Sequence, residues 1–171
     1  TLELRNSVVH NSGAYGVYAQ QGNLVVENSE ISNCGESCIV LLGGSLRMAH
    51  TTIANYYRYA SRKNASVRIL NYVVQNGSSL YFPISSAVIE NSIIFGSNSE
   101  ELELGHDTTS LVDYNVLLSH TLIKGKQLET NNFVNCYWAK SRNVRNASDT
   151  VFVNTKIDNI AETGYFNFRL D

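Results

Sequence analysis

Asn55-Tyr56-Tyr57-Arg58-Tyr59, followed by Arg62 and Lys63, is the stretch best equipped for recognition chemistry. Aromatic rings stack on the apolar faces of sugars, and an Arg guanidinium can clamp a carboxylate through two parallel hydrogen bonds. Tyr56, Tyr57, Arg58, Tyr59 and Arg62 are therefore the candidate binding residues, with a glycan as the ligand class. The competing reading packs the tyrosines under a local excursion of the chain and leaves the cations solvated.

Other chemistry-bearing residues offer less. Glu100, Glu101 and Glu103 with Asp107 are of the type that holds calcium, but charges guarding an exposed strand edge explain them equally well. No metal or other cofactor is assigned. Cys34 and Cys38 flank a Gly-containing turn and could pair, or pack as two thiols; the odd count of three leaves at least one thiol free. Glycoside hydrolysis needs two carboxylates at fixed separation, and elimination from a uronic acid needs a base beside a cation. Neither constellation is visible, so no catalytic residue is assigned.

These residues sit on a repeat. Leu2-Glu3-Leu4-Arg5-Asn6-Ser7-Val8-Val9 aligns with Leu24-Val25-Val26-Glu27-Asn28-Ser29-Glu30-Ile31 and with Leu46-Arg47-Met48-Ala49-His50-Thr51-Thr52-Ile53, each 22 residues on. Further rows follow at Asn91 and His120, after steps of 41 and 29. Asn135-Cys136 comes only 15 later and reads as a closing turn or hairpin. Apolar and polar positions alternate before the Asn or His, the signature of a strand with one buried face. The small polar pair marks a bend, a second strand carries Val9/Ile31/Ile53/Ile94/Ile123 inward, and a third is visible in Gly16–Ala19 and Cys38–Leu41. Asn side chains stacked in one column are expected to bond amide to amide, with His50 and His120 substituting in that ladder.

Three short strands per 22 residues describe an all-β chain: a single-stranded right-handed parallel β-helix, or β-solenoid, of about five coils. One domain is expected over 1–171, with an insertion at 56–86 that supplies the third strand of the third coil plus an excursion from the wall, and an irregular C-terminal cap at 131–171. An insertion is where a solenoid often carries its binding surface, which favours the tyrosine cluster. The chain starts inside the first row, so further coils are expected upstream of Thr1. The outward columns Glu3/Val25/Arg47/Val88 and Arg5/Glu27/Ala49/Glu90 mix signs and read as a solvated face.

Composition agrees. Charged residues are 16% of the chain, and Asn, Ser and Thr make up about 50 residues, a balance suited to stacked turns and not to helices. A net charge of -2 argues against a nucleic-acid partner, and no apolar run reaches the length of a membrane span.

Leu24–Ser29, Thr51–Tyr56, Glu90–Gly96 and Phe133–Cys136 resemble the repeats of the pectate-lyase-like superfamily. More narrowly, they resemble those of secreted or outer-surface proteins of gut-type Gram-negative bacteria. The ending Asp149–Asn154 and Tyr165–Asp171 is similar to that group's, except that Thr150 stands where a Pro is usual. The resemblance implies extracellular or cell-surface placement and a link to polysaccharides. Gly105-His106-Asp107 is similar to the Gly-His-Gly of polygalacturonases, without the accompanying Asp pairs and Arg-Ile-Lys. The expected role is thus a non-catalytic module presenting a wall to a glycan or other surface component. The alternatives are part of a lyase or hydrolase whose catalytic coils lie upstream, and a structural adhesin stalk.

Overall fold

Period-two alternation makes strands here because each strand can bury one face only by stacking on a neighbour with the same pattern. The computed structural model describes residues 1–128 and 131–139, with the backbone of Phe152–Asn154 and Asn167–Leu170. Its described residues are all-β and contain no helix.

The first sheet takes β1 (Leu2–Arg5), β3 (Val17–Glu27), β5 (Ile39–Ala49), β10 (Ile84–Glu90), β13 (Tyr114–Ser119) and β15 (Phe133–Val134) in that spatial order. Beside β5 it also carries β7 (Val67–Leu70) and then β12 (Leu102–Gly105). The second sheet orders β2 (Val8–His10), β4 (Glu30–Ser32), β6 (Thr52–Asn55), β11 (Ile93–Gly96), β14 (Leu122–Lys124) and β16 (Tyr137–Ala139). Every pairing in both sheets is parallel.

The columns read from sequence are the observed registers. Leu2, Leu24, Leu46, Ala87 and Val116 are successive partners, as are Leu4, Val26, Met48, Ile89 and Leu118. Val9, Ile31, Ile53, Ile94, Ile123 and Trp138 form the inward column of the second sheet. Most of these side chains are fully buried and belong to one apolar cluster. Burial of each contributes roughly 1.5–3 kcal/mol.

The bend between the sheets has a physical rule that the residue types only hinted at. Asn6, Asn28, His50, Asn91, His120 and Asn135 all have φ between 47° and 51°. Asn tolerates this left-handed backbone better than other non-glycine residues. These side chains are exposed or half-exposed, so the expected buried amide ladder is not what selects them. Within the column one side-chain contact is found, between Asn135 Nδ2 and His120 Nε2 at 3.2 Å. The ladder lies one position on. Hydroxyls of Ser7, Ser29, Thr51, Ser92 and Thr121 each donate to the carbonyl two residues back, at 2.7–3.0 Å. Ser29 and Ser92 also accept from the backbone N–H of Ser7 and Thr51 in the adjoining row.

Two expectations change and one is refined. Asn135-Cys136 is no closing hairpin: β15 and β16 extend both sheets in parallel, giving a sixth row. Among the described residues between β14 and β15 there is no third strand, which accounts for the short step. The segment 56–86 supplies the third strand of the third row as well as a departure from the stack, as expected. Its Val67–Leu70 pairs with Ile39–Leu42 on one side and Leu102–Gly105 on the other. The true departures are the segment 56–66 and an antiparallel hairpin, β8 (Tyr72–Gln75) with β9 (Ser78–Tyr81). Asn76 and Gly77, both at positive φ, make its two-residue turn, as twisted hairpins require. Finally, β3 and β5 run unbroken from the third strand of one row into the first strand of the next. In β5 the bend falls at Gly43 and Gly44, with φ of 72° and 94°.

The cap expected at 131–171 falls largely outside the described residues. Within them, Trp138 meets Phe133 edge-on at 5.0 Å and packs against the main cluster.

Candidate functional site

The turn leaving the second sheet stacks Gly13, Gly35 and Tyr57 at intervals of 22 residues. A Cβ on Gly35 would run into the Gly13 carbonyl on one side and meet the Tyr57 ring on the other. Backbone N–H groups of Gly35 and Glu36 donate to Ser12 and Ala14 carbonyls at 2.9 and 2.8 Å, locking the first two turns together. Two tyrosine pairs flank this floor. Tyr15 and Tyr18 lie 5.3 Å apart with their planes tilted by 57°. Tyr57 and Tyr59 meet edge to face at 5.5 Å. Tyr18 is 49% exposed and Tyr59 70%, so both pairs present ring surface to solvent.

Polar groups link the two sides. Asn64 Nδ2 donates to Glu36 at 2.5 Å, tying the second turn to the segment 56–66. Arg68 shares an outward column with Tyr18 and Val40 and is bound twice by Glu103, at 2.6 and 3.3 Å. Those bonds raise its pKa, and Tyr15 and Glu36 act in the same direction. Val40, between Tyr18 and Arg68 in this column, is buried.

The sequence-derived candidates divide here. Tyr57 and Tyr59 form one of the exposed pairs, and Arg58 is exposed beside them. Tyr56 instead packs half-buried against Ala54 and Phe95, and burial pushes its phenol well above the usual range. Arg62 turns inward. Its side chain is 1% exposed and its partner Glu101 is 0% exposed. The guanidinium meets both carboxylate oxygens, at 2.9 and 2.6 Å, and donates to the carbonyls of Asn64 and Asn55. Glu101 also accepts from the backbone N–H of Asn98 and Ser66 and from the Ser66 hydroxyl. A carboxylate so surrounded is a structural knot, and Arg62 does not join the exposed group. Lys124 lies near the same knot, donating to the Gly96 carbonyl at 2.5 Å, 5.5 Å from the Phe95 ring centroid; burial lowers its pKa.

The acidic residues considered for calcium go separate ways. Glu101 holds Arg62, Glu103 holds Arg68, and Glu100 accepts from the Lys126 N–H. Asp107 closes a turn on Thr109 and accepts from the Tyr81 hydroxyl at 3.0 Å. Those Thr109 bonds lower its pKa. Among the described residues no group of three or more potential ligands could hold a metal ion. His106 stacks flat on Tyr114 at 4.3 Å.

Outward carboxylates of the first sheet are matched by arginines. Arg5 pairs with Glu3 and Glu27, and Arg47 bridges Glu27 and Glu90 at 3.0 and 2.9 Å. The mixed-sign face expected from sequence is thus an ordered alternation along the stack. Cys34 and Cys38 are free and fully buried. A hydrogen bond with Cys38 lowers the Cys34 pKa, and burial raises that of Cys38.

Tyr15, Tyr18, Glu36, Asn64 and Arg68 were not singled out from sequence. The signal existed: the 22-residue column through Gly13 and Gly35 leads to Tyr57 and places Tyr15 on the same corner. No helix among the described residues is long and apolar enough to cross a membrane. Comparison with protein-family models, curated proteins and solved structures finds no match for this chain.

Proposed function

We propose that the chain is a segment of a right-handed single-stranded parallel β-helix, secreted or held at the cell surface, that binds a glycan without turning it over. Repeated return of the chain to the same register, every 22 residues over the first three rows, supports the β-helix, and parallel crossovers are right-handed in about 98% of cases. Its repeats resemble those of the pectate-lyase-like superfamily, which supports the placement and the ligand class.

The observation that carries the binding role is the Tyr57–Tyr59 pair, Tyr59 exposed and Tyr57 half-buried on Gly35, with exposed Arg58 between them in the chain. Rings held in fixed relative orientation lose little entropy when a sugar face lies on them. The arginine-paired carboxylates of the outward columns favour binding over turnover. A glycan-binding screen tests the proposal: retention of at least one polysaccharide by the wild type is expected, weakened about tenfold by Tyr57→Ala. A protein that retains none of the panel, or a Tyr57→Ala variant that binds as the wild type, overturns it. Incubation with pectin, alginate and glycosaminoglycans, with and without a calcium chelator, is expected to give no new ends; turnover would favour the lyase or hydrolase reading.

A further inference from the structure

We infer that the corner carries a two-platform site for a neutral, extended glycan chain running along the stacking direction, in which Tyr15 and Tyr18 are the second platform. This rests on the glycan-binding reading above and specifies its ligand. Tyr15 stands in the turn of the first row and Tyr57 in that of the third, with Gly35 of the second row between them. Rows repeat at the inter-strand distance, so the platforms are about 10 Å apart along the axis. That is close to the rise of two sugar units in an extended β-linked pyranose chain. Alternate units would therefore stack on the two tyrosine pairs, while the intervening unit passes over the second-row turn, where Gly35 is buried against Gly13 and the Tyr57 ring and Glu36 is partly exposed.

Charge at the floor selects the class. Arg68 already has its carboxylate in Glu103, and Arg62 has Glu101, so neither cation is open to a uronic acid. Glu36, half-buried and held by Asn64, places a hydroxyl acceptor and a negative charge between the platforms. A carboxylated sugar is repelled there, and a neutral one donates its hydroxyls. Arg58 is exposed on the loop of the third row, so acidic chains are the competing ligand and form one arm of the test.

The experiment is isothermal titration of the whole chain with neutral β-1,4-linked glucose and N-acetylglucosamine oligosaccharides, from disaccharide to hexasaccharide, and with oligogalacturonates of matching length. Affinity for a neutral series is expected to step up at the length that reaches both platforms. Tyr18→Ala and Tyr57→Ala should each abolish that step, weakening the hexasaccharide about tenfold while leaving the disaccharide within a few-fold. Tyr18 is exposed, so its variant should keep the wild-type circular dichroism spectrum. If Tyr57→Ala weakens binding but Tyr15→Ala and Tyr18→Ala do not, the second platform is refuted and the binding role stands. Stronger binding of oligogalacturonates refutes the neutral class. If no oligosaccharide binds and the polysaccharide screen is also blank, the binding role falls with it.

Discussion

At the scale of single residues, backbone conformation and buried charge decide most. Asn28 sits at φ 48°, where a Cβ without a compensating polar group is strained. Asn28→Ala should lower stability by about 1 kcal/mol, and Asn28→Gly should leave it nearly unchanged, as read from urea midpoints. Glu101→Gln leaves the Arg62 charge buried without its counterion and should cost about 3–5 kcal/mol by the same measurement. Buried Cys34 and Cys38 should resist iodoacetamide in the native state, while the partly exposed Cys136 reacts. Legibility followed the range of the interaction. The Asn column was visible because it repeats, although its cause was misassigned to amide stacking. Arg62 was not readable as a buried cation, because its partner is 39 residues away and on a different row.

At the scale of elements, strands that repeat were readable and departures from the repeat were readable only in part. Asn76-Gly77 announced a hairpin and a third strand was expected in the same segment, but nothing local shows that the stacked strand stops at Leu70 and the protruding one starts at Tyr72. Register with Ile39–Leu42 makes that distinction. The Phe82 N–H donates to the Asn71 carbonyl at 2.7 Å, so the base of the hairpin is closed independently of its arms. Replacing Tyr72–Tyr81 by a short Gly-containing linker should keep the native spectrum and lower Tm by only a few degrees, because two isolated strands add little stability of their own. On β4, burial raises the pKa of Glu30 against the opposing effects of the Ser32 hydroxyl and His10. The folded state therefore binds this proton more tightly than the unfolded one. Its stabilising contribution is complete below the ordinary carboxylate pKa and is lost as pH rises through the raised value. Glu30→Gln should accordingly gain stability relative to wild type at neutral pH and lose that advantage in acid, measured by denaturation at both.

At the scale of the whole molecule, the repeat made the inward columns and the candidate corner available to inspection before any coordinates, since one period fixes what lies above what. It could not give the sixth row, because among the described residues the return from β14 to β15 has no third strand. Stability is shared along the stack, and Ile53 at its middle touches neighbours from both adjoining rows. Ile53→Ala should therefore cost about 2–5 kcal/mol, comparable to an equivalent loss at Ile31, as read from urea midpoints. The unbroken course of β3 and β5 around their bends has a mechanical consequence. The pairing of β3 with β5 resumes at Gly22 and Gly44 after skipping only Gln21 and Gly43, so Tyr18 on one stretch and Glu27 on the other belong to a single stiff frame. Such a frame has no hinge on which to close over a guest. For the proposed glycan, selectivity would then come from a fixed spacing, which acts as a ruler held against the polymer.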